Sequence, residues 1–417
     1  MAEGEQGLSR TASMDGRFRR GRWGRYLERT PGTGCPRIWF HAASVGEVTG
    51  AMAPLLAVKE KNPDARLFLS VGTPQGFRFA AAGLGRAATV IPAPLDLPWV
   101  VKRALDWVSP DVYVVFESEF WPILFGVLRR RSIPSLLLNG RISRRSARNY
   151  RSLGVLFRPI FRQLSVLAMK TDEDREHAVA AGAPPERVQV LGSAKYDALL
   201  YRTRAADLEK WRRLLRIPDG SPVVVGGSLR GSECLVLLEI FARMRALRPD
   251  LVGVFVPRHL ENVPRMAKWL SDRRQRFHKL SDLEAAGSRR EAPVVLVDRI
   301  GVLLNLYAFG DLIFCGGTLE PVGGHNIVEP AAWGKPVFYG PHVEKVQTEH
   351  QVLAAHGAGI QVSDAGELEA RWMHFLDHPD ALQAKGAGAR AAVGKLAGVA
   401  EAQAALILEV LKRRAAG

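Results

Sequence analysis

The sequence predicts an α/β chain of two Rossmann-like domains, and three observations carry that prediction. Short apolar runs of strand length alternate with longer helical patterns along the chain, which is how repeated β-α units around parallel sheets are written. A polar, basic stretch from Tyr201 to Arg216 divides this alternation into two series. The chain has 417 residues, 47% hydrophobic and 24% charged, so each half holds enough apolar material for its own core.

In the first series the expected strands are Ile38–His41, Arg66–Val71, Thr89–Pro92, Asp111–Phe116, Ser135–Asn139, Val166–Met169 and Val188–Leu191. The second series runs through Val223–Gly226, Leu251–Val256, Val294–Val297, Asp311–Cys315, Pro336–Tyr339 and Gly359–Val362. Ala-rich patterns over Asp380–Leu396 and Ala400–Arg414 read as terminal packing helices. The expected boundary falls near residue 203, giving domains 1–202 and 203–417. Two such halves imply a deep cleft between them, with ligands at the carboxyl ends of the strands.

Charge narrows the partners. With 58 Lys+Arg against 42 Asp+Glu the formal charge is +16, which favours an anionic partner: nucleic acid, phospholipid headgroups or a phosphorylated substrate. No nucleic-acid module is recognisable, so nucleic acid is not expected. Cys35, Cys234 and Cys315 are odd in number and far apart, which argues against a disulfide framework or a thiolate zinc site and fits a reducing cytoplasm. The first thirty residues hold seven arginines and no apolar run, so neither a signal peptide nor an anchor helix is expected there.

Seven stretches carry candidate chemistry. His41-Ala-Ala-Ser-Val-Gly-Glu47 follows a strand and opens a helix; Ser44 and Glu47 have capping-box spacing, and Glu47 can equally serve as a general base near a helix N-terminus. Glu117-Ser-Glu119-Phe-Trp121-Pro122 ends a strand with two carboxylates, for which a helix-capping role and a site role stay open. From Arg141 to Arg162 there are seven arginines and no acid, interleaved with Tyr150, Phe157 and Phe161, a pattern of anion or membrane contact or of a solvated helix face. The Arg17–Arg29 stretch has the same character. Gly226-Gly-Ser-Leu-Arg-Gly231 reads as a phosphate-cradling turn between strand and helix, and Arg258 in Val256-Pro-Arg-His259 can pair with phosphate oxygens. In Cys315-Gly-Gly-Thr-Leu-Glu-Pro-Val-Gly-Gly-His325-Asn326-Ile-Val-Glu329-Pro330, glycines lead from a strand into an expected helix with Glu329 in its first turn, poised for ribose hydroxyls. Gly83-Leu-Gly85 lies after a helix rather than a strand and is no dinucleotide fingerprint. His325, His342 and His350 lack a helical ligand spacing, so no metal site is expected.

Five of these motifs together, His-Ala-Ala-Ser-Val-Gly-Glu, Glu-Ser-Glu-Phe-Trp-Pro, Asn-Gly-Arg-Ile-Ser, Val-Pro-Arg-His and Gly-Gly-His-Asn-Ile-Val-Glu-Pro, resemble the Kdo transferases of lipopolysaccharide synthesis, in the same order and from about Arg17 to near the C-terminus. The resemblance implies the GT-B architecture and inverting, metal-independent transfer of Kdo from a CMP-Kdo donor to a lipid A precursor (lipid IVA), with no other cofactor. It assigns Glu47 as catalytic base and Ser44, Gly46, Glu117, Glu119 and Arg141 to the acceptor side. It assigns Lys195, Ser228, Arg258, Gly323, Gly324, His325, Asn326 and Glu329 to the donor. Where the family carries Thr-His-Glu this chain has Leu229-Arg230-Gly231. The family's usual hydrophobic anchor helix is absent, so peripheral contact with an anionic membrane surface, at the cytoplasmic face of the inner membrane, is expected. The competing expectations are a GT-B enzyme using a UDP-sugar and a basic nucleic-acid-binding protein.

Overall fold

The computed structural model describes residues 14–26, 35–204, 206–286 and 290–416. The basic stretch Arg17–Arg29 is thus described as far as Tyr26, and its last residues lie outside the described ones. The chain divides into two compact units, one from Met1–Ala198 with Ala397–Gly417 and one from Leu199–Leu396.

The first unit holds β1 (Arg37–Ala42), β2 (Arg66–Val71), β3 (Thr89–Pro92), β4 (Val112–Phe116), β5 (Ser135–Gly140), β6 (Leu164–Met169) and β7 (Val188–Val190). They form one parallel sheet in the order β3-β2-β1-β4-β5-β6-β7, with Phe40 opposite both Leu69 and Val114. Strand residues alternate between two cores because successive side chains point to opposite faces. Phe40, Leu69, Val114 and Leu138 pack with Val48, Leu55 and Phe77 on one face. Trp39, Phe68, Tyr113 and Leu137 pack with Val101, Leu105, Phe125 and Phe161 on the other. Burying both faces is why these strands read as solid apolar runs rather than as polar alternations. Removing the Phe40 ring, fully buried, would cost about 3–5 kcal/mol.

The second unit holds β8 (Val223–Leu229), β9 (Val252–Pro257), β10 (Phe277–Lys279), β11 (Val294–Leu296), β12 (Leu312–Cys315), β13 (Val337–Tyr339) and β14 (Gly359–Gln361). Its parallel sheet runs β10-β11-β9-β8-β12-β13-β14, and Phe241, Phe255, Phe314, Phe338 and Trp372 lie in its core. β10 was not expected from sequence. It is a three-residue edge strand whose residues are all half-buried, too short for a periodic pattern.

Each sheet has a point from which successive strands go to opposite sides, between β1 and β4 and between β8 and β12; in the second sheet β11 also inserts between β9 and β10. Such switch points open a crevice at the strand ends, where ligands of doubly wound sheets bind.

Residues Pro379–Ala415 are, by length and composition, apolar enough to cross a membrane. Gly398, at φ +96°, breaks them into the helices Pro379–Leu396 and Val399–Ala416. Ala404, Ile407 and Val410 of the later helix enter the first unit's core, and Glu401 pairs with Lys61 at 2.7 Å. Both are therefore packing helices, as expected, but the last one completes the first unit rather than the second. The sequence boundary near 203 moves to Ala198/Leu199, inside the helix Lys195–Arg204.

Candidate functional site

In the first unit the carboxyl ends of β1, β4, β5 and β6 bring together Glu47, Glu117, Glu119, Asn139 and Lys170. The helix Val45–Lys61 starts at Ser44, which takes the Glu47 amide at 3.4 Å. The Glu47 carboxylate reaches back to the Ala43 amide at 2.8 Å and receives the Ser44 hydroxyl at 3.3 Å. The capping motif is thus real, although its carboxylate bonds the residue before the cap. Its carboxyl is still pushed up to about 7: burial strips its solvation, the Ala43 amide pulls back, and the charges of Glu119 and Glu117 push further. A helix cap and a base poised near neutrality coexist in one side chain. A Cβ on Gly46 would meet nothing nearer than Ser44 Oγ at 3.8 Å, so folding alone does not require glycine there.

Glu117 sits in the left-handed region at φ +60°, and its carboxylate accepts Lys170 Nζ at 2.5 Å and Asn139 Nδ2 at 3.4 Å. Asn139 in turn accepts the Ala194 amide at 3.2 Å, and the Arg141 amide bonds Glu117 O at 3.3 Å. Glu119 is held below the usual carboxylate range, chiefly by the neighbouring His41, whose Nε2 is 4.0 Å away. His41 is 3% exposed; its Nδ1 lies 2.9 Å from Ser70 Oγ, and Trp121 Nε1 donates to its Nε2 at 3.4 Å. Two neighbouring carboxyls, Glu47 and Glu119, are therefore driven in opposite directions in proton affinity.

His41, Asn139 and Lys170 were not singled out from sequence. The available signal was a polar residue closing an otherwise apolar strand, repeated at β1, β5 and β6.

In the second unit, Gly226, Gly227 and Ser228 lie inside β8, not in a turn as expected. A Cβ on Gly227 would fall 2.1 Å from the Tyr307 hydroxyl, so that glycine serves packing. Ser228, at φ +53°, ends the strand's regular course. Glu233, fully buried, opens the next helix, and its carboxylate accepts the amides of Arg230 at 2.8 Å, Gly317 at 2.7 Å, Thr318 at 3.0 Å and Leu319 at 2.9 Å. The Gly317, Thr318 and Leu319 amides that follow β12 are therefore already occupied by an internal carboxylate.

The loop from Gly316 folds back through Gly324, whose amide bonds Gly317 O at 2.8 Å. Gly323 and Gly324, at φ +93° and +91°, make that fold possible. No α-helix follows: Glu329 precedes the short 3₁₀ turn Ala331–Trp333, because Pro330 and the left-handed Gly334 leave room for one turn only. Burial raises the Glu329 carboxyl while Arg202, Asn326 and Arg258 pull it down; Asn326 Nδ2 donates to it at 3.3 Å. Asn326 and Glu329, both expected on the donor side, are thus bonded to each other, on a turn instead of a helix. His325 is pushed down to about 4, first by burial and then by Arg258, Arg230, Lys345 and His259, so its ring is neutral at pH 7 inside a cationic field. Lys195 belongs to the first unit, where its ammonium lies 4.7 Å from the Tyr196 ring.

Two doubly wound parallel sheets with polar clusters at their switch points are the architecture of the GT-B class. A solved glycosyltransferase from Rickettsia africae shares the fold, with TM-score 0.52 and 15% identity over 90% of this chain and 98% of that one. The family model described as 3-deoxy-D-manno-octulosonic-acid transferase (kdotransferase) matches residues 17–198. A 3-deoxy-D-manno-octulosonic acid transferase from Chlamydia pneumoniae is 31% identical over 81% of this chain and 77% of its own length. A bifunctional glycosyltransferase/methyltransferase from Fusobacterium nucleatum is 30% identical over 79% of this chain, which spans only 51% of that protein. The chain belongs to the 3-deoxy-D-manno-octulosonic-acid transferase family.

Proposed function

We propose that this protein transfers Kdo from CMP-Kdo to a lipid A precursor, lipid IVA, with inversion and without metal or other cofactor, in lipopolysaccharide synthesis. The observation that carries the reading is Glu47, a carboxylate with affinity near neutrality, backed by a second carboxylate that stays ionised. In the proposed reaction Glu47 takes the proton of an acceptor glucosamine hydroxyl as that oxygen bonds the Kdo anomeric carbon. The bond from Kdo to the CMP phosphate breaks with oxocarbenium-like character, and CMP leaves with the electron pair. Arg258, Lys195 and the neighbouring cations stabilise the departing phosphate, while Asn326 and Glu329 hold the ribose. Ser228, Gly323, Gly324 and His325 shape the donor pocket, and Ser44, Gly46, Glu117, Glu119 and Arg141 face the acceptor.

The acceptor is an amphiphile, and peripheral binding at the cytoplasmic face of the inner membrane suits it. Val155, 98% exposed, lines a hollow edged by Arg129, Arg158 and Arg162, and its chain neighbours Leu153 and Leu156 are exposed as well. Apolar side chains ringed by arginine fit an anionic lipid surface.

The test is direct: incubate the protein with tetraacylated lipid A precursor and freshly generated CMP-Kdo, then weigh the lipid by mass spectrometry. A gain of one or more Kdo masses is the expected result. Transfer from a UDP-sugar, with none from CMP-Kdo, would replace this reading.

A further inference from the structure

At the end of β8 the chain carries Arg230, whose surroundings are unusual for an arginine. Its Nη2 lies 2.6 Å from His259 Nε2. A guanidinium only donates, so in this contact the His259 ring nitrogen is the acceptor. The backbone is fixed on both sides: the Arg230 amide bonds Glu233 Oε2 at 2.8 Å, and Leu229 O accepts the Arg258 amide at 2.9 Å. Arg230 and Arg258 thus leave adjacent strand ends, beside the switch point.

Neither guanidinium forms an ion pair with a carboxylate among the described residues. Glu233, next to Arg230 in the fold, spends its oxygens on main-chain amides. The same field holds Lys345 and His325, whose Nε2 is buried with no hydrogen-bond partner among the described residues. Two guanidiniums that leave neighbouring strand ends with no carboxylate in ion-pair contact, Glu329 reaching Arg258 only at longer range, call for an external anion with several oxygens. Because Glu233 fills the amide nest, that anion has to be held by side chains.

We propose that Arg230, oriented by His259, is a second guanidinium for the phosphate of the nucleotide donor, acting beside Arg258. This rests on the donor reading of the second unit given above. Arg230 is a binding residue, and His259 is its positioning residue.

The experiment is calorimetric titration of CMP and of cytidine into the wild type, Arg230→Ala, Arg230→Lys, His259→Ala and the double variant, with thermal melting as the folding check. Arg230→Ala should weaken CMP by about ten- to a hundredfold, the range of a charged hydrogen bond, and leave cytidine unchanged. Arg230→Lys should restore part of the loss, since charge returns without the planar fork. His259→Ala should weaken CMP on its own yet add nothing once Arg230 is gone. Unchanged CMP affinity in a folded Arg230→Ala, or equal losses for CMP and cytidine, would overturn the proposal; additive losses would overturn the positioning role of His259. If the wild type binds UMP and not CMP, the donor reading fails separately, and Arg230 is judged by the same ratio taken with UMP and uridine.

Discussion

Glu47 holds a helix start and, in the proposed reaction, also takes the acceptor's proton, two roles that a sequence motif alone cannot separate. As a cap it holds the Ala43 amide; as a partly desolvated acid beside Glu117 and Glu119 its carboxyl rises to about 7. Glu47→Gln keeps the cap's shape and removes the basicity. Turnover should fall roughly a hundred- to ten-thousandfold, the usual worth of a general base, while CMP affinity stays within a few-fold; steady-state kinetics and titration measure both. Because the base acts ionised, the wild-type rate should climb as pH rises through about 7. The stability effect has the opposite sign. A carboxyl whose folded affinity is raised binds its proton in the native state when the unfolded chain has lost it, so native stability declines between about pH 4.5 and 7. Denaturation across that window should show a flatter decline in Glu47→Gln. The motif made Glu47 legible in the sequence, and likewise Arg258, Asn326 and Glu329. Glu233 was not legible, since its partner amides lie 84 to 86 residues away and an acid in a helix's first turn looks like ordinary dipole matching. His41 was hidden for a similar reason: its role depends on Ser70 and Trp121, brought close only by the sheet and the turn after β4.

Elements were legible where burial on both faces wrote continuous apolar runs. Val112–Phe116, every residue buried, needed no context. β10 left no such trace, because an edge strand of three half-buried residues satisfies no period. Gly226-Gly-Ser imitated a phosphate turn because local sequence cannot reveal that Tyr307 packs against Gly227. The terminal helix was recognised as a packing helix but given to the wrong unit, since an apolar face does not name its partner. Its start is held by Asp197, whose carboxylate accepts the Gly398 amide at 2.7 Å and faces those of Val399 and Ala400. Asp197 therefore acts as a cap supplied from a distant part of the chain. Asp197→Ala should destabilise the first unit by about 1–2 kcal/mol, the cost of losing a helix cap, with Asp197→Asn milder. Urea denaturation gives the size, and faster hydrogen exchange at residues 398–402 would locate it. Protection unchanged there would show that other contacts hold the helix start.

At the scale of the whole molecule, the +16 charge and the arginine-edged apolar hollow bear on lipid contact. Co-sedimentation with vesicles should require anionic lipid, weaken as salt rises, and drop for Val155→Asp and when Arg144, Arg145 and Arg148 become Ser. Binding that ignored salt and lipid charge would remove the electrostatic account. The chain's path carries a different consequence, one that belongs to synthesis on the ribosome. The first unit is begun by the earliest residues, yet residues 397–417 complete it, and about 200 residues of the second unit are translated in between. At roughly 5–20 residues per second, that leaves a gap of roughly 10–40 s in which the Val48, Leu55 and Leu69 face lacks the helix that covers it. A nascent chain of this kind is a natural client for holdase chaperones, and its folding cannot simply proceed domain by domain from the N-terminus. Stalled chains released after residue 396 should be protease-sensitive throughout the first unit and protected in the second, and chains extended past residue 416 should resist in both. Equal protection in the two lengths would mean that the first unit closes without waiting for its last helix.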